Sequence, residues 1–238
     1  MSFREFEVGG VVHLTCIVVT AGVTVTTALA VIRGWISRAT WRRVVVTGCL
    51  LTWATNAIYL LWPSRFDWTF SLPIHFCHVA NMLGAIAVAL RYRWAQSLVY
   101  FWAIALCSCA FLTPTLARGP ASLEFWSFWA YHLFIPVAAV HVVALDGFRP
   151  GLRDAWRSVL FTTVWMGALA VLNAATGWNY GFVGPAVPGQ RTAVELFGPY
   201  PFRLIAMWTS GVVLFLLLAL PFSMGRGAGR QRKRRGGG

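Results

Sequence analysis

The chain has 238 residues, 58% of them hydrophobic and 11% charged, with a mean hydropathy of +0.65. That composition excludes a water-soluble globular domain and points to a polytopic helical membrane protein. A formal charge of +13 invites a nucleic-acid reading, but the basic residues lie between apolar runs and lack the interleaved aromatics of single-strand binders, so no nucleic acid is expected as a partner.

Seven apolar stretches follow one another: Val8–Ile32, Val44–Trp62, Leu72–Leu90, Ala95–Thr113, Glu124–Leu145, Trp156–Ala175 and Arg203–Phe222. Each runs to roughly 19–25 residues, which at about 1.5 Å per residue covers the roughly 30 Å hydrocarbon core. The expected fold is all-α, a bundle of seven transmembrane helices in a single domain over residues 1–224. Glu5 and Glu7 spoil the basic start of a cleaved signal, so the first span is retained. Between the last two spans, Thr176–Pro201 carries four prolines and five glycines; it is no continuous helix and is expected either to fold over the outer mouth as a lid or to be a plain connector. Residues 225–238, Gly/Arg-rich and without apolar periodicity, read as a disordered polybasic tail lying against anionic headgroups.

Fifteen of the 20 Lys and Arg residues fall in the first, third and fifth loops and the tail, against five on the other side. The positive-inside bias therefore puts the N-terminus outside and the C-terminus in the cytoplasm. The expected location is a plasma membrane, multi-pass and bacterial. All five cysteines lie within spans, so no external disulfide framework is implied.

With that threading, His13, Asn56, Tyr59, His75, Cys77, His78, Asn81, Thr113, His132 and Asn173 fall in the outer half of the membrane or at its edge, and only His141 lies toward the cytoplasm. Intramembrane His and Asn cost desolvation unless they face the bundle interior or a wet cavity, so a shared depth reads as one site. At about 100° per residue Cys77, His78 and Asn81 share a helix face, and His75 extends it. Cys77 sits at a helix N-terminus beside imidazoles, conditions that favour a thiolate; alternatively it is a small apolar filler, as Cys16 and Cys49 are expected to be. His132 and Cys77 come out at depths of roughly 12 and 8 Å, compatible with contact between neighbouring helices. A Cys–His pair is the arrangement needed for acyl transfer through a thioester, with Asn81, Asn173 or Asn56 available to the developing oxyanion.

Two other classes compete. His75, His78, His132 and Cys77 are also possible ligands to a metal or haem. A transporter or receptor would use the same cavity for binding, with Trp53, Trp126, Trp129 and Trp165 as lining, although tryptophans are equally expected as interfacial anchors. Asp and Glu are absent from every span interior, which counts against ion-driven transport.

The string Leu72-Pro73-Ile74-His75-Phe76-Cys77, then Leu112-Thr113-Pro114, Tyr131-His132, Asn173 followed by Trp178-Asn179-Tyr180, and Leu196-Phe197-Gly198-Pro199-Tyr200-Pro201, resembles the bacterial YwaF-type integral membrane proteins. That family looks related to eukaryotic transmembrane acyltransferases that remodel ether phospholipids. The resemblance implies lipid acyl transfer, with Cys77 and His132 in the catalytic positions and a phospholipid or lysophospholipid as partner. The expected substrate-side residues are His75, His78, Asn81, Thr113, Asn173, Asn179 and Tyr180, and neither a cofactor nor a metal is expected. Water as acceptor would make the protein an acyl hydrolase.

Overall fold

The computed structural model describes residues 5–186 and 192–235, with side chains to residue 223. The described residues form α1 (Val11–Ile32), α2 (Arg38–Leu61), α3 (Phe76–Leu90), α4 (Arg93–Ala105), the single turn α5 (Cys109–Leu112), α6 (Leu123–Val140), α7 (Leu152–Thr176) and α8 (Arg203–Arg235). Among them there is no strand, only one isolated bridge between Glu5 and Arg118. Sequence chemistry sets several of the boundaries. Ser37 and Ser122 accept hydrogen bonds from Thr40 N and Phe125 N, capping α2 and α6. Gly177, at φ 75°, ends α7 in the left-handed region that glycine enters without strain.

Six helical stretches are long and apolar enough to cross a membrane: those beginning at Val11, Arg38, Arg93, Leu123, Leu152 and Arg203. The remaining apolar helix, α3, has 15 residues, about 22 Å of rise against a roughly 30 Å core. Its expected first turn is absent because Pro73 disfavours helical backbone at Leu72, and residues 72–75 run irregularly into the extended cap His75. The continuous helix expected over Ala95–Thr113 is also broken. The amides of Leu106 and Cys107 both reach back to the Trp102 carbonyl, at 3.0 and 2.7 Å; that inserts a residue, and the chain unwinds before α5. At the other end of the molecule α6 passes into a π turn over His141–Leu145. The backbone of α8 is helical through Arg235.

Helix α3 forms the centre, packed by α2, α4 and α6, while α7 pairs with α8 and α1 lies on α6. Small residues let the helices approach closely. Gly84 faces Ala138 and Cys49, and a Cβ on Gly48 would fall 2.0 Å from the Phe134 ring. The outward faces of α1, α7 and α8 expose large apolar side chains such as Val18, Leu160, Val171 and Ile205, as a lipid-facing surface requires. Away from the candidate site, ion pairs bind the helix ends: Arg93 grips Asp154 with bonds of 2.9 and 2.6 Å, and Arg42 and Arg91 meet Asp146 at 2.8 and 3.0 Å.

Candidate functional site

Where α3 and α4 stop short, a cavity of about 530 Å³ opens. Its walls are the start of α3, the break after α4, α2, α6, α7, α8 and parts of the 176–201 segment. Cys77, His132, His75, His78 and Thr113 all line it, as do Asn56 and Tyr59.

Cys77 and His132 face the same cavity, and the Cys77 thiol is a near neighbour of the His132 imidazole and of the Cys107 thiol. His132 Nδ1 is 2.8 Å from the Phe128 carbonyl one turn earlier. A carbonyl only accepts, so Nδ1 carries the proton and the neutral ring keeps its lone pair on Nε2. Phe128 and Tyr131 hold the ring, at centroid distances of 4.0 and 4.4 Å. Pro136, four residues on, lacks the N–H that would bond the His132 carbonyl, so α6 is locally perturbed at this histidine.

His78 has the complementary tautomer. Its Nε2 meets Asn56 Oδ1 at 2.8 Å while Asn56 Nδ2 donates to Ser127 Oγ at 3.1 Å. That amide orientation makes Nε2 the protonated nitrogen and leaves Nδ1, buried and unbonded among the described residues, as an acceptor. His75 Nδ1 accepts from Gly181 N at 3.1 Å, and its ring packs 5.0 Å from Tyr180. It thereby ties the start of α3 to the 176–201 segment. Thr113 Oγ1 accepts from Ala193 N at 2.9 Å and ties the same segment to the end of α5.

Four residues expected on the substrate side do not line the cavity. Asn81 is fully buried and donates to the Tyr131 carbonyl at 2.7 Å, because the turn of α3 that carries it faces α6 at close range. Asn173 clamps Tyr180 from both sides, Nδ2 donating to Tyr180 O at 2.8 Å and Oδ1 accepting from Tyr180 N at 2.9 Å. Asn179 Oδ1 accepts from Gly184 N at 2.8 Å. The Tyr180 hydroxyl donates to Trp68 O at 2.6 Å and accepts from Leu72 N at 3.1 Å. Asn81 thus bonds a carbonyl of α6, while the other three satisfy backbone groups of irregular segments and hold the wall from behind. The wall itself is formed by Gly181, Phe182 and Val183, and further along by Thr192, Ala193, Val194 and Phe197. The segment expected as a lid therefore builds one side of the cavity, while Gly198–Pro201 does not line it and residues 187–191 lie outside the described residues.

A single family model matches residues 8–219, nearly the whole apolar part of the chain. The chain belongs to the TMEM164 family. Neither a curated protein nor a solved structure matches it. Within this TMEM164-family chain, three residues given no role from the sequence prove central. Tyr131 lines the cavity beside His78, at 5.1 Å between ring centroids, and its buried hydroxyl has no hydrogen-bond partner among the described residues. A tyrosine next to a histidine inside an apolar run was a readable signal. Cys107 is a near neighbour of Cys77; nothing in the sequence marks the helix break that brings it there. Arg203 is buried at the start of α8 and donates to Gly184 O at 2.6 Å. Among the described residues no group of three or more His, Cys, Asp or Glu side chains is arranged to hold a metal ion.

Proposed function

We propose that the protein is a membrane-embedded acyltransferase or acyl hydrolase that moves fatty-acyl chains of phospholipids through a thioester on Cys77. The single observation carrying this reading is that Cys77 and His132, an imidazole whose Nδ1–H is fixed by the Phe128 carbonyl, line one largely apolar cavity of about 530 Å³. The unprotonated Nε2 of His132 takes the thiol proton, and the thiolate attacks the carbonyl carbon of an ester-linked acyl chain. The ester C–O bond breaks as the imidazolium returns its proton to the departing oxygen, leaving a lysophospholipid and a Cys77 thioester. A second lysophospholipid or water then gives its hydroxyl proton to Nε2 and attacks the thioester. The C–S bond breaks and the sulfur recovers the proton. The unpartnered Tyr131 hydroxyl is a donor available to the developing oxyanion, a role in which loss of one donor costs roughly 10²–10³ in rate.

The finer membrane reading accompanies this function. The arginine distribution supports seven crossings, with α3 completed by the irregular residues before it, the N-terminus and the cavity toward the outside, and the arginine-rich C-terminal residues against anionic cytoplasmic headgroups. The similarity to YwaF-type proteins supports a bacterial plasma membrane. The test is acyl exchange between labelled phospholipid and lysophospholipid in reconstituted vesicles. Cys77→Ala and His132→Ala each abolish turnover, Cys16→Ala retains it, and mass analysis of the Cys77 peptide finds the acyl adduct. Wild-type turnover in Cys77→Ala would overturn the mechanism.

A further inference from the structure

Beside the main cavity lies a second, more open pocket of about 460 Å³, lined by Tyr59, Arg65, Arg118, Ala121, Ser122 and Leu123. Tyr59, Arg65 and Arg118 line both, so the two spaces meet at this trio. The arrangement is amphiphilic: an apolar chamber lined by Cys77 and His132, and a more open antechamber that meets it at two guanidinium groups.

Neither arginine is used up by the protein. Arg65 rests on the face of Tyr59, its guanidinium carbon 4.4 Å from the ring centroid, and makes no ion pair among the described residues. Arg118 Nε stands 3.9 Å from Glu124 Oε2, a loose contact with an exposed side chain, which leaves both terminal nitrogens free. Its backbone is steadied by the bridge to Glu5. The one carboxylate lining the cavity at this level, Glu124, neutralises at most one of the two charges. Two forked cations held by an aromatic face and a carboxylate suit a doubly ligated phosphate, since guanidinium binds phosphate oxygens in parallel pairs.

We infer that Arg65 and Arg118 bind the phosphate of a glycerophospholipid headgroup at the cavity mouth while its acyl chain enters the chamber below. The inference rests on the acyl-transfer reading for its direction and adds the headgroup subsite to it. Glu124 and His132 are eight residues apart on α6, about 12 Å along the axis. A phosphate anchored beside Glu124 thus leaves the glycerol esters, a few bonds further in, directed along the cavity toward the level of Cys77 and His132.

The test reads binding and needs no turnover. In vesicles containing Cys77→Ser protein, lysophosphatidylcholine with a diazirine on its chain is photo-crosslinked to cavity residues, with the monoacylglycerol of the same chain run in parallel. Adding R65Q and R118Q together lowers capture of the phosphate-bearing lipid at least tenfold and leaves monoacylglycerol capture unchanged, so the unchanged arm also reports an intact cavity. Glycerophosphocholine, which has the phosphate and no chain, does not compete at millimolar concentration. A parallel fall for both probes, no fall for either, or displacement by glycerophosphocholine would each overturn a lipid-phosphate subsite. Loss of phosphate-selective capture alongside persisting turnover in Cys77→Ala would retain the subsite and reject the thioester mechanism.

Discussion

Replacement of Asn173 by alanine tests whether the cavity wall depends on a clamp that touches no substrate. The Asn173 amide satisfies both backbone groups of Tyr180, at 2.8 and 2.9 Å, and both residues are fully buried. Alanine strands a buried N–H and a buried carbonyl with no water at hand, at roughly 1–3 kcal/mol each, or about 2–6 kcal/mol together if nothing moves. The segment has other anchors: the Tyr180 hydroxyl on Trp68 and Leu72, Gly181 N on His75, and Arg203 on Gly184. It therefore reaches water by local opening around residues 178–184, with the helices intact. Hydrogen-exchange mass spectrometry of the purified protein reads this directly: peptides covering Tyr180–Gly184 exchange faster by a factor of ten or more, and peptides from α2 and α4 are unchanged. Acyl transfer falls with them, because Gly181–Val183 form a wall of the cavity. Asn173→Asp is expected to be nearly as damaging, since its second oxygen would oppose the Tyr180 carbonyl. Unchanged exchange over this peptide in Asn173→Ala would refute the reasoning.

Two further predictions follow from packing and from charge. Gly48→Ala drives a methyl group to within 2.0 Å of the Phe134 ring, and overpacking of about 1–3 kcal/mol should appear as a lower unfolding midpoint in detergent; an unchanged midpoint would mean that α2 and α6 are not held this close. An impermeant maleimide applied to intact cells should label a cysteine at the exposed position Ala121 and not one at Ala39, and the opposite pattern would reverse the orientation read from the arginines.

Most of the bundle was legible because long apolar runs say where helices must be, and the depth of His75, Cys77, His78 and His132 follows from counting residues along them. That Cys77 and His132 line one cavity follows from the same counting, since they lie on helices that turn out to be neighbours. Hydropathy does not report whether an apolar run is regular, so the shortening of α3 and the break between α4 and α5 stayed hidden. Asn81, Asn173, Asn179 and Tyr180 were read as substrate-side residues for a related reason. A polar side chain in an apolar surrounding announces that something needs hydrogen bonds, and here the partner is the protein's own backbone, irregular for Asn173, Asn179 and Tyr180 and helical for Asn81.

That irregularity connects the fold to its chemistry. Non-helical backbone at membrane depth is tolerated only where it is buried in protein or borders a wet cavity, and the irregular segments at this end of the bundle are bonded into the protein and border the cavity. Leu72–His75 and the Leu106–Ser108 turn interrupt two apolar runs that would otherwise be continuous helices. The 176–201 segment fills part of the space and supplies partners: Gly181 N to His75, Ala193 N to Thr113, and the Tyr180 hydroxyl to Leu72. What it leaves unfilled is the cavity, and the groups it leaves unbonded are the ones chemistry can use, His78 Nδ1 and the Tyr131 hydroxyl among them. A bundle of seven uninterrupted helices would bury Cys77 as an apolar filler. Two shortened helices put it instead at the edge of a lipid-sized space, with the His132 imidazole lining the same cavity.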